Sequence, residues 1–123
     1  MNIPHIGEAE LAVMQVLWQA GEPLATADIN RAVEARGWKR TTISTFLTRL
    51  TEKGAVAAEK RGTLYYYTPV LTAEEYRRAQ TGALVHSLFG GSVTALAASL
   101  FEDTALSEED VRELRAILER KKP

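Results

Sequence analysis

The feature that most limits what this chain can fold into is a change of period at Gly54. Before it, three segments carry apolar residues at helical spacing. After it come two short β-prone runs, "AVAAEK" and "LYYYTP", flanking Lys60-Arg61-Gly62-Thr63. Two such runs around a glycine-containing break read as a hairpin whose turn the glycine supplies. Pro69 closes the unit. Helix, helix, helix, hairpin within about 70 residues is the order of a winged helix-turn-helix.

The first helix runs from Glu8 to Ala20, with Leu11, Met14, Leu17 and Trp18 as its apolar stripe and Gly21 at the C′ position. In "TADINRAVEARG", Thr26 is the expected N-cap, and Asp28 sits in the first turn near the positive end of the helix dipole. Ile29, Ala32 and Val33 are its buried stripe, and Gly37 is the expected end. The third helix is "KRTTISTFLTRLTEKG", where Ile43, Phe46, Leu47 and Leu50 stand at i, i+3, i+4 and i+7. Beyond Pro69 the chain is helical again. Thr72-x-x-Glu75 is a capping box, Ser107-x-x-Asp110 is its looser form, and Gly90-Gly91 interrupts the pattern between them. Three helices follow, at roughly 73–89, 92–101 and 108–121. The expected fold is therefore mainly α with a small β-hairpin wing. A winged helix-turn-helix DNA-binding domain occupies 1–70, and a three-helix dimerisation domain occupies 71–123.

Composition excludes several functions. No apolar run approaches the ~18 residues of a membrane span, and "MNIPHIGEAEL" lacks the basic start and apolar run of a signal peptide. There is no cysteine, which rules out disulfides, thiolate metal sites and cysteine catalysis. His5 and His86 stand alone, without carboxylates at metal-ligand spacing. No Ser/His/Asp arrangement, phosphate-cradling glycine loop or paired-carboxylate motif is present, so neither an enzyme nor a cofactor is expected. A cytoplasmic, nucleoid-associated location fits. The net charge of −1 conceals an asymmetry: residues 36–61 carry seven basic and two acidic side chains, and the remainder is net acidic. One segment thus suits an anionic partner.

That segment contains the third helix, which holds six hydroxyl residues between Thr41 and Thr51. Threonine is a mediocre helix former because its branched β-carbon crowds the preceding turn. With Ile43 as zero and about 100° per residue, Thr41, Thr45 and Thr48 fall at roughly 140–200° and Arg49 at about 240°. The outward face is threonine plus one arginine, with Lys39 and Arg40 at the entrance; Thr42 lies near the helix start, and Ser44 flanks the core. Short side chains let a helix backbone come close to bases in a DNA major groove. A threonine offers a hydroxyl to phosphates or base edges and a methyl to thymine. Arg49 suits either a guanine or a phosphate. The hairpin tip, Lys60-Arg61, is placed to reach flanking backbone or minor groove, and phosphate contacts of this kind make affinity salt-dependent. Glu52 also points outward, against the trend. The Tyr65-Tyr66-Tyr67 run could stack bases as single-strand binders do, but Tyr65 and Tyr67 alternate onto one strand face and are expected rather to pack on the helices.

The last 50 or so residues form three amphipathic stripes: Leu84, Val85, Leu88 and Phe89; Val93, Leu96, Ala97, Leu100 and Phe101; and Val111, Leu114, Ile117 and Leu118. Three short helices bury little surface alone, and a symmetric second copy closes such stripes economically. Packing back onto the N-terminal domain is the other solution. A two-fold dimer predicts a palindromic site on double-stranded DNA, with recognition helices about one turn apart or a multiple of it. A ligand-sensing winged helix, or one used only for protein interaction, is compatible with the same elements.

"AELAVMQVLW", Trp38, "TTISTFLTRLTEKGAV", "YYYTPVLTAEEY", "GGSVTALAASLF" and "LSEEDVRELRAIL" together resemble the BlaI/MecI-type penicillinase repressors, whose relatives include copper-responsive repressors of the CopY type. The resemblance implies a dimeric bacterial repressor in β-lactam resistance regulation, acting on pseudo-palindromic operators with TACA/TGTA elements. It also implies a membrane-bound sensor protease that cleaves the dimerisation domain. By position, Thr42, Thr45 and Arg49 match the family's recognition-helix contacts, and Lys60 matches a wing contact. Three departures accompany it. Thr63 stands where the family often has Arg or Lys, the family's cleaved Asn–Phe bond aligns with Ser99–Leu100, and no cysteine is available for a thiolate copper switch.

Overall fold

The computed structural model describes residues 3–123 as two compact units, one ending at Gln80 and the other spanning Thr81–Pro123. The first unit contains α1 (Glu8–Ala20), β1 (Leu24–Ala25), α2 (Thr26–Ala32), a 3-10 turn (Glu34–Arg36), α3 (Arg40–Glu52), β2 (Val56–Arg61) and β3 (Leu64–Pro69). The strands form one antiparallel sheet in the order β1-β3-β2. This is a winged helix, with a third strand that the sequence pattern did not announce. β1 is too short to show a period. It exists because Leu24 and Ala25 pair with Tyr67 and Tyr66.

That pairing also moves the start of α2. Thr26 is the first helical residue and not the cap; Ala25 takes the cap position, with its N–H donating to Asp28 Oδ2 at 3.3 Å. The helix then stops at Ala32 instead of running to Gly37. A 3-10 turn carries the chain on, and Gly37 closes it in the left-handed region at φ 73°.

The core is built from one side of each helix and the base of the wing. Val13, Met14 and Leu17 of α1 meet Ile29, Val33, Ile43, Leu47, Leu50, Ala55, Val56 and Leu71, all buried. Among the expected stripe of α1, Leu11 and Trp18 are only half-buried, while the unanticipated Val13 is fully covered. Trp18 Nε1 donates to the Leu71 carbonyl at 2.8 Å and its ring lies 5.9 Å from that of Tyr76. The start of α4 (Ala73–Phe89), past the expected 70/71 boundary, is thereby packed into the first unit.

In the second unit the end of α4 is followed by α5 (Val93–Glu102) and α6 (Glu108–Lys121). Both capping boxes form. Glu75 N–H donates to Thr72 Oγ1 at 3.1 Å, and Asp110 N–H donates to Ser107 Oγ at 3.0 Å. Gly90 and Gly91 adopt φ of 57° and 86°, which L side chains avoid, and so turn the chain between α4 and α5. No residue from Thr81 to Pro123 is buried. Val85, Phe89, Leu96 and Leu114 are half-buried, whereas Leu88, Val93, Leu100, Phe101, Ile117 and Leu118 are exposed, Leu88 at 70%. Among the described residues no single helix is long and apolar enough to cross a membrane.

Candidate nucleic-acid interface

α3 is anchored on one side and bare on the other. Ile43, Leu47 and Leu50 are buried, and the half-buried Phe46 meets Trp38 edge-on at 5.2 Å. The C-terminus is closed by an Ala55 N–H bond to the Leu50 carbonyl at 3.0 Å across Gly54, whose φ is 79°. This is a Schellman closure, and Leu50 and Ala55 are both buried beneath it. On the opposite side Thr41, Ser44, Thr45, Thr48 and Arg49 are exposed, with Lys39 and Arg40 exposed at the N-terminus; Thr42 is half-buried.

The hydroxyls have defined partners. Thr45 Oγ1 donates to the Thr41 carbonyl at 3.0 Å, Thr48 Oγ1 to Ser44 at 3.0 Å, and Thr51 Oγ1 to Leu47 at 2.7 Å. Each bond turns the hydroxyl hydrogen inward, onto the helix's own backbone. Thr45 and Thr48 therefore present oxygen lone pairs and methyl groups. In this rotamer they can accept from the amino groups of adenine or cytosine and contact a thymine methyl, whereas donating to a phosphate requires giving up the backbone bond.

The basic surface is narrower than its composition implies. Lys53 turns away from the outward face: its Nζ donates to Glu10 Oε1 at 2.7 Å and to the His5 carbonyl at 2.8 Å. Glu10 is only 6% exposed, and it is the one charged residue among those buried in the described chain. Burial pushes its carboxyl up. The Lys53 hydrogen bond, the Gly7 N–H and the Lys53 and Arg49 charges outweigh this and hold it below the ordinary value. Arg61 is paired with Glu59 at 3.3 Å. Lys39, Arg40, Arg49 and Lys60 form no ion pair among the described residues, and Glu52 is exposed at the outward end of α3. The Glu10–Lys53 contact had no local signature, since its partners are 43 residues apart. The Glu59–Arg61 contact did have one, because residues two apart on a strand share a face.

The wing is a two-residue hairpin, pairing Arg61 with Leu64 across Gly62 and Thr63. Gly62 has φ 65° and Thr63 does not have positive φ, the pattern of a type II′ turn. Tyr65 and Tyr67 share a face as expected, but only Tyr67 packs on the core. Tyr65 is exposed because the hairpin extends past the helices, and it lies under Lys60 at 5.9 Å; Arg61 lies 4.9 Å from the Tyr66 ring on the other face. Leu64 at the tip is 55% exposed. It borders a cleft of about 690 Å³ that also brings together Asn30, Arg31, Trp38, Arg40 and Ser44. α3 and the wing tip thus meet across one groove. Among the described residues no cluster of His, Asp and Glu could hold a metal ion.

The profile of the penicillinase repressor family matches residues 6–120. This chain belongs to the penicillinase repressor family. The Bacillus licheniformis penicillinase repressor is 32% identical over 121 residues, covering 98% of this chain and 94% of that protein. The methicillin resistance regulatory protein MecI of Staphylococcus aureus (strain N315) is 26% identical, covering 95% of each chain. The solution structure of the DNA-binding domain of the repressor BlaI matches with a TM-score of 0.56 at 36% identity, covering 61% of this chain and 92% of that one. A second match, with a TM-score of 0.53, 36% identity and the same coverage, is monomeric B. licheniformis BlaI in complex with the blaP half-operator. The penicillinase repressor match extends through both units, whereas each of the two solved structures covers 61% of this chain.

Proposed function

We propose that this chain is a sequence-specific transcriptional repressor that binds a pseudo-palindromic operator as a homodimer. DNA binding is assigned to residues 1–70 and dimerisation to residues 71–123. The observation that carries the reading is the outward face of α3: five short or cationic side chains, Thr41, Ser44, Thr45, Thr48 and Arg49, exposed on a helix whose other side is locked into the core. α3 enters the major groove; Lys39, Arg40 and Thr42 approach the backbone at its entrance, and Lys60 and Arg61 carry the wing to the flanking phosphates or minor groove. The BlaI half-operator complex supports the same use of a similar domain.

A dimer accounts for the second unit. Its apolar side chains, Val85, Leu88, Phe89, Val93, Leu96, Leu100, Phe101, Leu114, Ile117 and Leu118, find no interior within the unit itself. A two-fold copy covers them and doubles the DNA contact. Bound in this way to a promoter, the repressor excludes polymerase in the cytoplasm. Induction by a membrane-bound sensor protease acts on this dimer. The candidate bond, Ser99–Leu100, lies inside α5 on exposed residues, so cleavage there also requires the helix to open locally.

The test is selection of bound duplexes from genomic DNA, followed by gel-shift titration of Arg49→Ala. The variant is expected to lose at least about tenfold in affinity for the selected site, the scale of one base contact, while still sedimenting as a dimer. Unchanged binding refutes the role of Arg49, and absence of any enriched duplex refutes the DNA-binding reading.

A further inference from the structure

The recognition helix is held at its C-terminal end by a contact that lies outside the DNA-facing surface. Lys53 caps α3, and its ammonium spends two of its three donors on Glu10 Oε1 at 2.7 Å and the His5 carbonyl at 2.8 Å. Glu10 stands in the first turn of α1, where the same Oε1 accepts the Gly7 N–H at 2.9 Å. The Glu10–Lys53 pair therefore ties three segments together: Lys53 reaches the N-terminal arm at the His5 carbonyl, and Glu10 joins the start of α1 to the end of α3. The second Glu10 oxygen, Oε2, is enclosed with no protein hydrogen-bond partner among the described residues. A carboxylate with one oxygen enclosed and unpaired by the surrounding side chains and backbone is a costly way to gain stability alone.

We propose that Glu10 and Lys53 are positioning residues for sequence readout, fixing the angle of α3 against α1 while withdrawing the Lys53 cation from the DNA backbone. The physical basis is geometric. Arg49 and Lys53 are one helical turn apart, so a displacement of the Lys53 end moves Arg49 and Thr48 with it. Contacts to base edges tolerate little displacement, whereas contacts to phosphates depend mainly on charge and distance. Losing the clamp should therefore erode specific binding and leave non-specific binding in place. A direct phosphate contact by Lys53 predicts the reverse: a uniform loss, with a salt slope smaller by about 0.9.

This inference rests on the DNA-binding reading above, and the test separates the two. The probes are a duplex selected from random sequence by the wild-type protein and a scrambled duplex of equal length, each titrated over a range of salt. Lys53→Gln and the pair Glu10→Leu with Lys53→Leu are compared with wild type, at a temperature where circular dichroism shows the proteins folded. The pair keeps the net charge and leaves no buried unpaired charge, so it remains informative if Lys53→Gln does not fold. The expected result is a loss of about tenfold or more on the selected duplex, a change within about twofold on the scrambled one, and an unchanged salt slope. Lys53→Arg, which retains a cation able to reach Glu10, should recover most of the loss. Equal losses on both duplexes with a reduced slope overturn the proposal by making Lys53 a phosphate contact. Unchanged affinity in the folded variants overturns it by reducing the clamp to a stabilising role. If the wild type enriches no duplex, it is the DNA-binding reading that fails.

Discussion

Replacing Leu100 by aspartate is expected to break the proposed dimer, and the size of the effect follows from exposure. Fully covering a leucine contributes roughly 1.5–3 kcal/mol. Leu100 is 56% exposed within one chain, so a partner that covers the rest adds about 1–1.5 kcal/mol. In a two-fold interface the residue counts twice, which gives about 2–3 kcal/mol per dimer. At about 1.4 kcal/mol per decade, losing this raises the dimer dissociation constant by roughly 30- to 150-fold. Desolvating two carboxylates adds to that figure. Sedimentation equilibrium across a concentration series measures the constant directly, and circular dichroism checks that the helices persist. DNA binding should then weaken toward the affinity of one half-site, because the second recognition helix is no longer delivered with the first. A folded variant that self-associates with the wild-type constant refutes both the assignment of α5 to the interface and the estimate built on it.

Two further outcomes follow from individual side chains. Thr48→Ala should raise thermal stability slightly, by about 0.5 kcal/mol, since alanine is the better helix former and the lost hydroxyl bonded only its own backbone. The same change should weaken operator binding, and a variant that loses stability in a thermal melt contradicts the first half of this expectation. Glu10 governs a pH effect. Its folded pKa lies below the ordinary carboxylate value, so between the two values the unfolded chain binds more protons than the folded one. The resulting stabilisation is fully present above the ordinary value of about 4.3 and is lost as pH falls through the folded value. Glu10→Gln should therefore lose less stability than wild type when denaturant melts are compared from about pH 6 down to pH 3. Parallel curves for the two proteins rule out this linkage.

Much of the fold was legible because it rests on local rules. The spacing of Ile43, Leu47 and Leu50 set the buried side of α3, and Gly54 and Gly62 marked backbone positions that only a left-handed residue fills easily. The capping boxes at Thr72 and Ser107 formed where their spacing put them. Thr26 was misread as a cap because the decision belonged to a neighbour: pairing of Leu24 and Ala25 with β3 draws the chain into a strand up to Ala25. The alternation of Tyr65 and Tyr67 was right and the inference drawn from it half wrong, since period alone does not say how far a strand projects past its core.

The sequence by itself determined the order of elements, the two faces of α3 and the amphipathic stripes of the second unit, because each depends on residues within a few positions of one another. Tertiary structure alone decided which charges remain available on the basic segment. Lys53 is consumed by Glu10, 43 residues away, and no local pattern encodes a contact that forms only when α1 and α3 are packed together. It likewise decided that residues 81–123 have no interior of their own. A stripe of leucines states that something must cover it; only the folded unit shows that residues 81–123 do not bury it among themselves.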